Sequence, residues 1–284
     1  MLCIKVEATS ANVCVGFDVL GLALGLENTF TFEKKANLSF KGFDDEYCNE
    51  NNLVYKSYKY LFDKLGKNVI PVEIGFNGDI PVSRGLGSSS SLIIAGIFAA
   101  NHFMGNPLGK DELFDICVEL EGHPDNVAPA IYGGLVASYK KDNKNYPNCY
   151  RVSDKLKFIA VIPPFELSTQ HARSVLPKEL SYSDIVHNMS RIVNIPKAFE
   201  DGNLELLIDL FDDKMHEPYR SKLIKGYDEL KAICLENNCA FAISGSGSTM
   251  LIISYDDQII SKIEHVGYDT KLLQVGNGLR IWEV

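Results

Sequence analysis

IPVSRGLGSSSSLIIAG, residues 80–96, sets Gly85, Gly87 and four serines, Ser88 to Ser91, directly ahead of an unbroken apolar run. The run continues as SLIIAGIFAANHFMG, long enough for a buried helix rather than a strand. Small residues entering a helix present free backbone N–H groups at the positive end of the helix dipole, a common way to hold phosphate. Hydroxyls of Ser88, Ser89 or Ser90 could add oxygen ligands for phosphate or Mg²⁺. Two familiar phosphate loops are excluded. No lysine follows the glycines, so GxxxxGK[ST] fails, and with only Gly85 and Gly87 in place GxGxxG fails as well. On the residues alone the stretch is either a phosphate cradle or a flexible turn with a serine N-cap.

Strands and helices mix on either side without the regular alternation of a doubly wound sheet, which predicts an α+β fold. Ahead of the stretch, residues 1–35 read as two strands flanking a turn-rich loop. ANLSFKGFD and NVIPVEIGFN read as further strands, and NLVYKSYKYLFDKLG as a helix stopped by glycine. Beyond it come a helix, GKDELFDICVELEG, a loop, HPDNVAPAIYGG, and a strand, LVASYKK. The polar KKDNKNYPNCYRVSD stretch suggests a domain boundary or a long hairpin, giving domains 1–150 and 151–284. The second half reads as a strand, KLKFIAVIPPFEL, then three helical stretches, SYSDIVHNMSRIVNIPKAFED, NLELLIDLFDDKMHEPYRSKLI and GYDELKAICLENN. Strands AFAISGSGSTMLIISY and TKLLQVGNGLRIWEV close the chain.

With 284 residues, 46% of them hydrophobic, the chain can build a real core for one large or two medium domains. A formal net charge of −9 argues against the basic surface that nucleic acid demands. Seven cysteines without a CxxC pair predict a reduced, cytoplasmic protein free of structural disulfides and zinc. MLCIKVEATS lacks a basic n-region, and no later run reaches about 18 apolar residues, so neither export nor membrane insertion is expected.

Other polar clusters admit two readings each. SGSGSTM, residues 244–250, is a hairpin turn or a place where something approaches the backbone closely. ATSANVCVGFD gathers Ser10, Asn12 and Asp18 around Gly16, a pattern that ordinary loops share. In EGHPDNVAPAIYGG, Glu121 and Asp125 are Mg²⁺ candidates or solvated helix-end residues. His123 has no second ligand at zinc spacing. Arg173 and Arg220 could grip a carboxylate bidentately or steady a phosphoryl group, or be surface residues.

Taken together, TSANVCVGFDVLGLAL, GLGSSSS, EGHPDNVAPAIYGG, STQHARSVLP and HEPYR resemble, in this order and over nearly the whole chain, the GHMP small-molecule kinases. The resemblance is most specific to their homoserine-phosphorylating members. It implies an N-terminal ribosomal-S5-like domain and a C-terminal ferredoxin-like domain with the active site between them. The activity implied is Mg·ATP-dependent phosphorylation of L-homoserine on the way to threonine, by a homodimer. By this resemblance the ATP phosphate loop falls on Arg84, Gly85, Leu86, Gly87, Ser88, Ser89, Ser90 and Ser91, and the adenine contact on Asn52. Mg²⁺ would be held by Ser89 and Glu121, with Glu119 as the alternative glutamate. Homoserine contacts would be Asn12, Asp18 (ammonium), His123, Asn126, and Arg173 and Arg220 (carboxylate), with Thr169 near the γ-phosphate. Arg173, Thr169 and Asn126 would be the catalytic set, and Asp125 an orienting or structural residue. Glu7, Cys14, Val15 and Ser248 stand where the family usually has Pro, Gly, Pro and Pro, which leaves the loop conformations open.

Overall fold

In the computed structural model, which describes all 284 residues, the β-prone segments of the first third form β1 (Leu2–Ala11), β2 (Leu20–Lys34), β3 (Ser39–Lys41) and, after helix α1 (Leu53–Lys64), β4 (Val72–Gly78). β1 and β2 pair antiparallel over their length, with a register shift between Glu7 and Ala8. The far half of β2 carries β4 on its other edge, and β3 runs parallel to β4. The serine stretch opens α2 (Ser88–Phe103), followed by α3 (Lys110–Glu121) and α4 (Pro124–Tyr132). A hairpin of β5 (Leu135–Lys141) and β6 (Lys144–Tyr150) joins the near half of β2. The polar 140–154 stretch is therefore a hairpin turn and its return strand.

One core fills the space between this sheet and α1–α4, with Phe30, Phe32, Tyr58, Ile94 and Phe114 all at or near zero exposure. α2 is buried on nearly every side, as its continuous apolar run requires. It crosses α1 at Gly96, where a Cβ would overlap the Val54 carbonyl.

After β7 (Lys157–Ile162) come α5 (Thr169–Ser174), α6 (Tyr182–Ile192), α7 (Ile195–Asp201), α8 (Leu204–Leu210), α9 (Glu217–Arg220) and α10 (Tyr227–Glu236). β8 (Ala240–Ile243), β9 (Met250–Ser254), α11 (Ile259–Ile263) and β10 (Asp269–Leu273) complete a four-stranded antiparallel sheet in the order β10-β7-β9-β8. Helices connect β7 to β8 and β9 to β10, the split βαββαβ arrangement of ferredoxin-like folds. The expected α+β class with a ferredoxin-like second unit is what the chain adopts. The last strand, β11 (Arg280–Glu283), leaves this unit and pairs with β1 in the first sheet, which becomes seven-stranded. Residues 151–284 thus contribute one strand to the N-terminal sheet. No helix is long and apolar enough to cross a membrane.

The two sheets share a second core, in which Leu20, Leu22 and Leu24 of β2 meet Phe158, Ala160, Leu251 and Ile253. Three local expectations change, the first being the helix read across residues 181–201, which is interrupted after Ile192 and restarts as α7 with Pro196 in its first turn. HPDNVAPAIYGG is a helix, not a loop. Pro124 fits the first helical turn, where its missing N–H costs nothing, and Val127, Ala128, Ala130 and Ile131 are buried. Pro129 removes the hydrogen bond that the Asp125 carbonyl would have accepted. That carbonyl faces Gly21 of β2, so closely that a Cβ there would overlap it. The single helix read across residues 203–224 is broken at residues 211–216 into α8 and α9, because Asp213 accepts hydrogen bonds from the amides of Met215, His216 and Glu217 and restarts the chain.

Candidate active site

The loop into α2 passes between the first and third glycine–serine stretches with room only for hydrogen at two α-carbons. Gly85 (φ +76) and Gly87 (φ +72) have left-handed backbones. A Cβ on Gly85 would overlap the Ser244 carbonyl, and one on Gly87 would overlap Thr9 Oγ1. The first helical hydrogen bond runs from Ser91 N to Gly87 O (3.0 Å), so the amides of Ser88, Ser89 and Ser90 stand ahead of it at the dipole's positive end.

The four hydroxyls divide. Ser88 and Ser89 line the cleft. Ser90 and Ser91 are buried beneath it, and Ser91 Oγ donates to Ser88 O (2.7 Å) while accepting from Asn28 Nδ2 (2.9 Å). Ser90 thus offers the cleft only its backbone amide, and Ser91, whose amide already bonds Gly87 O, supports the loop from beneath. Leu86 is also buried, and its carbonyl accepts from Thr9 N. Arg84 lines the cleft and ties the two units together, donating to the carbonyls of Val82, Pro163 and Pro164. Asn52 does not reach the cleft with its side chain. Its carboxamide caps α1 by accepting from Val54 N and donates to Tyr47 O, so the wall beside it is Leu53, with Val82 and Leu92 nearby.

Ser89 Oγ donates to Glu121 Oε1 at 2.8 Å across the α2–α3 interface, which joins the two residues expected to bind Mg²⁺. Glu119 points away, held by Lys64 (2.7 Å) and the Tyr60 hydroxyl (2.8 Å). Two residues apart on a helix is more than half a turn, so only one of these glutamates can face α2.

Asn12, Asp18, His123, Asn126, Arg173 and Arg220 all line the same cleft, together with Thr169 and Asp125. Arg173 grips Asp18 bidentately at 2.6 and 3.0 Å, so the groups expected to take the carboxylate and ammonium of an amino acid are paired with each other. Arg220 is 2% exposed and donates to the carbonyls of Gly245 (2.9 Å) and Ala172 (3.3 Å). Burial, and then the charge of Arg173, pull its pKa down to about 10. His123 Nδ1 lies 2.5 Å from Asp125 Oδ1. Burial pulls the imidazolium down, but the hydrogen bond and charge of Asp125 outweigh it, and the net pKa is raised. Asn126 accepts from the Thr9 hydroxyl at 2.7 Å. Asn12 bridges the loops, donating to Gly245 O (2.8 Å) and accepting from Asp18 N (3.1 Å). Thr169 Oγ1 is 3.4 Å from Ser246 Oγ at the cleft's open side.

Several contributors lack a local sequence signal. Thr9 braces Asn126 from β1, and Phe17 lies under both arginines. Glu217, in HEPYR, is buried and accepts from Ile243 N and Tyr227 OH, fixing the strand end that leads into SGSGSTM. Burial raises its carboxyl to about 7. Asp18, His123 and Asp125 offer ligand atoms within 4.8 Å of one another, but Arg173 holds the first, and the other two hold each other. The Ser89–Glu121 pair, hard oxygens beside the phosphate loop, fits Mg²⁺ better.

Residues 52–134 match the family model of the GHMP kinases N terminal domain, and residues 196–269 that of the GHMP kinases C terminal domain. The chain is 45% identical over 269 residues to a homoserine kinase of Clostridium beijerinckii, covering 93% of this chain and 90% of that one. It is 42% identical over 256 residues to a homoserine kinase of Clostridium botulinum strain Eklund 17B, covering 89% and 86%. The crystal structure of homoserine kinase from Cytophaga hutchinsonii superposes with a TM-score of 0.84 at 28% identity over 99% of this chain and 97% of that one. A mevalonate kinase structure superposes with a TM-score of 0.71 at 15% identity, over 98% and 100%, a likeness of fold alone.

Proposed function

The chain belongs to the homoserine kinases of the GHMP kinase family, and on that footing we propose how its residues divide the work of phosphoryl transfer. The enzyme moves the γ-phosphoryl group of ATP to the side-chain hydroxyl of L-homoserine, giving O-phospho-L-homoserine for threonine synthesis. The observation that carries the assignment of residues is the convergence on one cleft of the Ser88–Ser89 loop, the Ser89–Glu121 pair and six polar side chains suited to a zwitterion.

Phosphoryl transfer passes through a loose transition state, so in-line positioning and neutralisation of oxygen charge supply most of the catalysis. The amides of Ser88, Ser89 and Ser90 receive the phosphates, with Gly85 and Gly87 allowing their close approach and Arg84 holding the loop. Leu53, Val82 and Leu92 form the apolar wall for the base. Ser89 and Glu121 would hold Mg²⁺, which when bound neutralises phosphate charge. Asp18 takes the substrate ammonium, and Arg173 and Arg220 its carboxylate, so binding exchanges the Asp18–Arg173 pair for two pairs with the substrate. His123 and Asn126 orient the hydroxyl, and Thr169 faces the transferring group.

The test is ADP release from Mg·ATP with L-homoserine, L-threonine, L-serine, mevalonate and galactose. Turnover confined to homoserine is the expected result, and turnover of mevalonate or galactose instead would overturn it.

Asp125 acts through His123 rather than on the hydroxyl. Replacing Asp125 by Asn keeps the shape but removes the charge that raises the His123 pKa. We expect kcat to fall about 10- to 100-fold, and the limb of the pH profile that reports His123 to move to lower pH. General-base catalysis contributes roughly 10²–10⁴-fold, so a fall clearly above about 10² with unchanged folding and an unmoved His123 limb would make Asp125 the base instead.

A further inference from the structure

Arg220 is a buried cation with no carboxylate in ion-pair contact: its hydrogen bonds go to two neutral carbonyls, Gly245 and Ala172. An isolated buried charge is unfavourable unless something compensates it. What faces it is the ring of Phe17, whose centroid lies 5.2 Å from Arg220 Cζ. The same ring lies 5.5 Å from Arg173 Cζ, and the His216 ring is 5.4 Å away. The negative face of an aromatic ring attracts cations. Stacking engages the plane of a guanidinium and leaves its N–H edges free for a carboxylate. Phe17 is also the residue before Asp18, so one dipeptide supplies both the π face under the two cations and the carboxylate that holds Arg173.

We propose that Phe17 is a positioning residue for the substrate carboxylate, its ring fixing the spacing of the two guanidinium groups and stabilising Arg220 until that carboxylate arrives. This rests on the reading of Arg173 and Arg220 as the carboxylate clamp. The turn that carries the ring is itself held from a distance. Asn12, Val13 and Cys14 have φ of +68, +37 and +61, and His216 meets the Cys14 carbonyl at 2.7 Å, so the ring's place is set by contacts rather than by a relaxed loop. A packing role and an electrostatic role predict different things. Packing responds to the volume of the side chain, whereas cation–π attraction responds to the electron density of the ring.

The experiment places 4-fluoro-, 3,5-difluoro- and 3,4,5-trifluorophenylalanine at position 17, at nearly constant volume, and compares them with Phe17→Leu and Phe17→Trp. KM for L-homoserine should climb stepwise with fluorination, by about tenfold at the trifluoro stage and similarly in Phe17→Leu. KM for ATP should stay within about twofold. Phe17→Trp should recover most of the wild-type value. If the wild-type enzyme turns over homoserine and the fluorinated series is flat, the inference is overturned even if Phe17→Leu raises KM, because the ring then only fills space. Rising KM for ATP in parallel would overturn it too, as a loosening of the whole cleft. A wild-type enzyme inactive on homoserine would overturn the reading beneath it instead.

Discussion

Replacing Arg220 by alanine should lower kcat/KM for L-homoserine by about 10³-fold while ATP affinity changes less than about threefold. Truncating one partner of a buried, hydrogen-bonded charge pair costs roughly 2–5 kcal/mol, which is the range that sets this figure. Arg220 is the larger loss of the two arginines because nothing else can replace it. Arg173 is half-exposed and already paired with Asp18, whereas Arg220 is closed in by Gly245, Ala172 and Phe17. The variant also takes the donor from the Ala172 carbonyl and one of two from Gly245, which keeps Asn12, and opens a cavity beside them, so its Tm should fall. Lysine should not restore activity. A single ammonium cannot span both carbonyls and still present a flat edge to a carboxylate. Steady-state kinetics with ATP and homoserine varied separately would decide the matter. Equal loss in both substrates would mean that Arg220 holds the third loop rather than the amino acid.

The second large effect should come from Glu121→Gln. The substitution keeps an acceptor for the Ser89 hydroxyl but removes the charge that a divalent ion requires. The Mg²⁺ concentration for half-maximal activity should rise at least tenfold and kcat should fall about 10²-fold, with nucleotide binding in the absence of Mg²⁺ little changed. Glu119→Gln is the control on the same helix. It disturbs only the surface contacts with Lys64 and Tyr60, and the Lys64–Glu119 pair is solvent-exposed, so activity should stay within about twofold and stability should drop by less than about 1 kcal/mol. A Mg²⁺ dependence that follows Glu119 rather than Glu121 would reverse the assignment.

The choice between these glutamates illustrates where local pattern runs out. VELEG predicts a helix end with two acids, and it is one. Which acid reaches the phosphate loop depends on how α3 is rotated against α2, and the answer lies 32 residues away in Ser89. HPDNVAPAIYGG was misleading for a related reason. Two prolines and a glycine pair read as a loop, but proline suits a first helical turn, and the burial of Val127, Ala128, Ala130 and Ile131 outweighs the bond lost at Pro129. Ser90 and Ser91 looked equivalent to Ser88 and Ser89. Helix rotation turns the second pair into the core and leaves the first at the cleft.

By itself the sequence determined the strand and helix types outside α4, the glycine turn into α2 and the inventory of polar groups, because glycine's freedom, helix capping and apolar periodicity act within a few residues. The resemblance of five motifs to a kinase family supplied their assembly in outline. The tertiary structure alone decided that Glu121 rather than Glu119 meets Ser89, that Phe17 lies beneath two arginines, and that β11 returns to the first sheet. It also decided that Cys14 sits at φ +61. That turn is held by an Asn12 bond to Gly245 and a His216 bond to Cys14, across 233 and 202 residues of chain. Such contacts form only when the two sheets close their shared core, so no local rule can anticipate them.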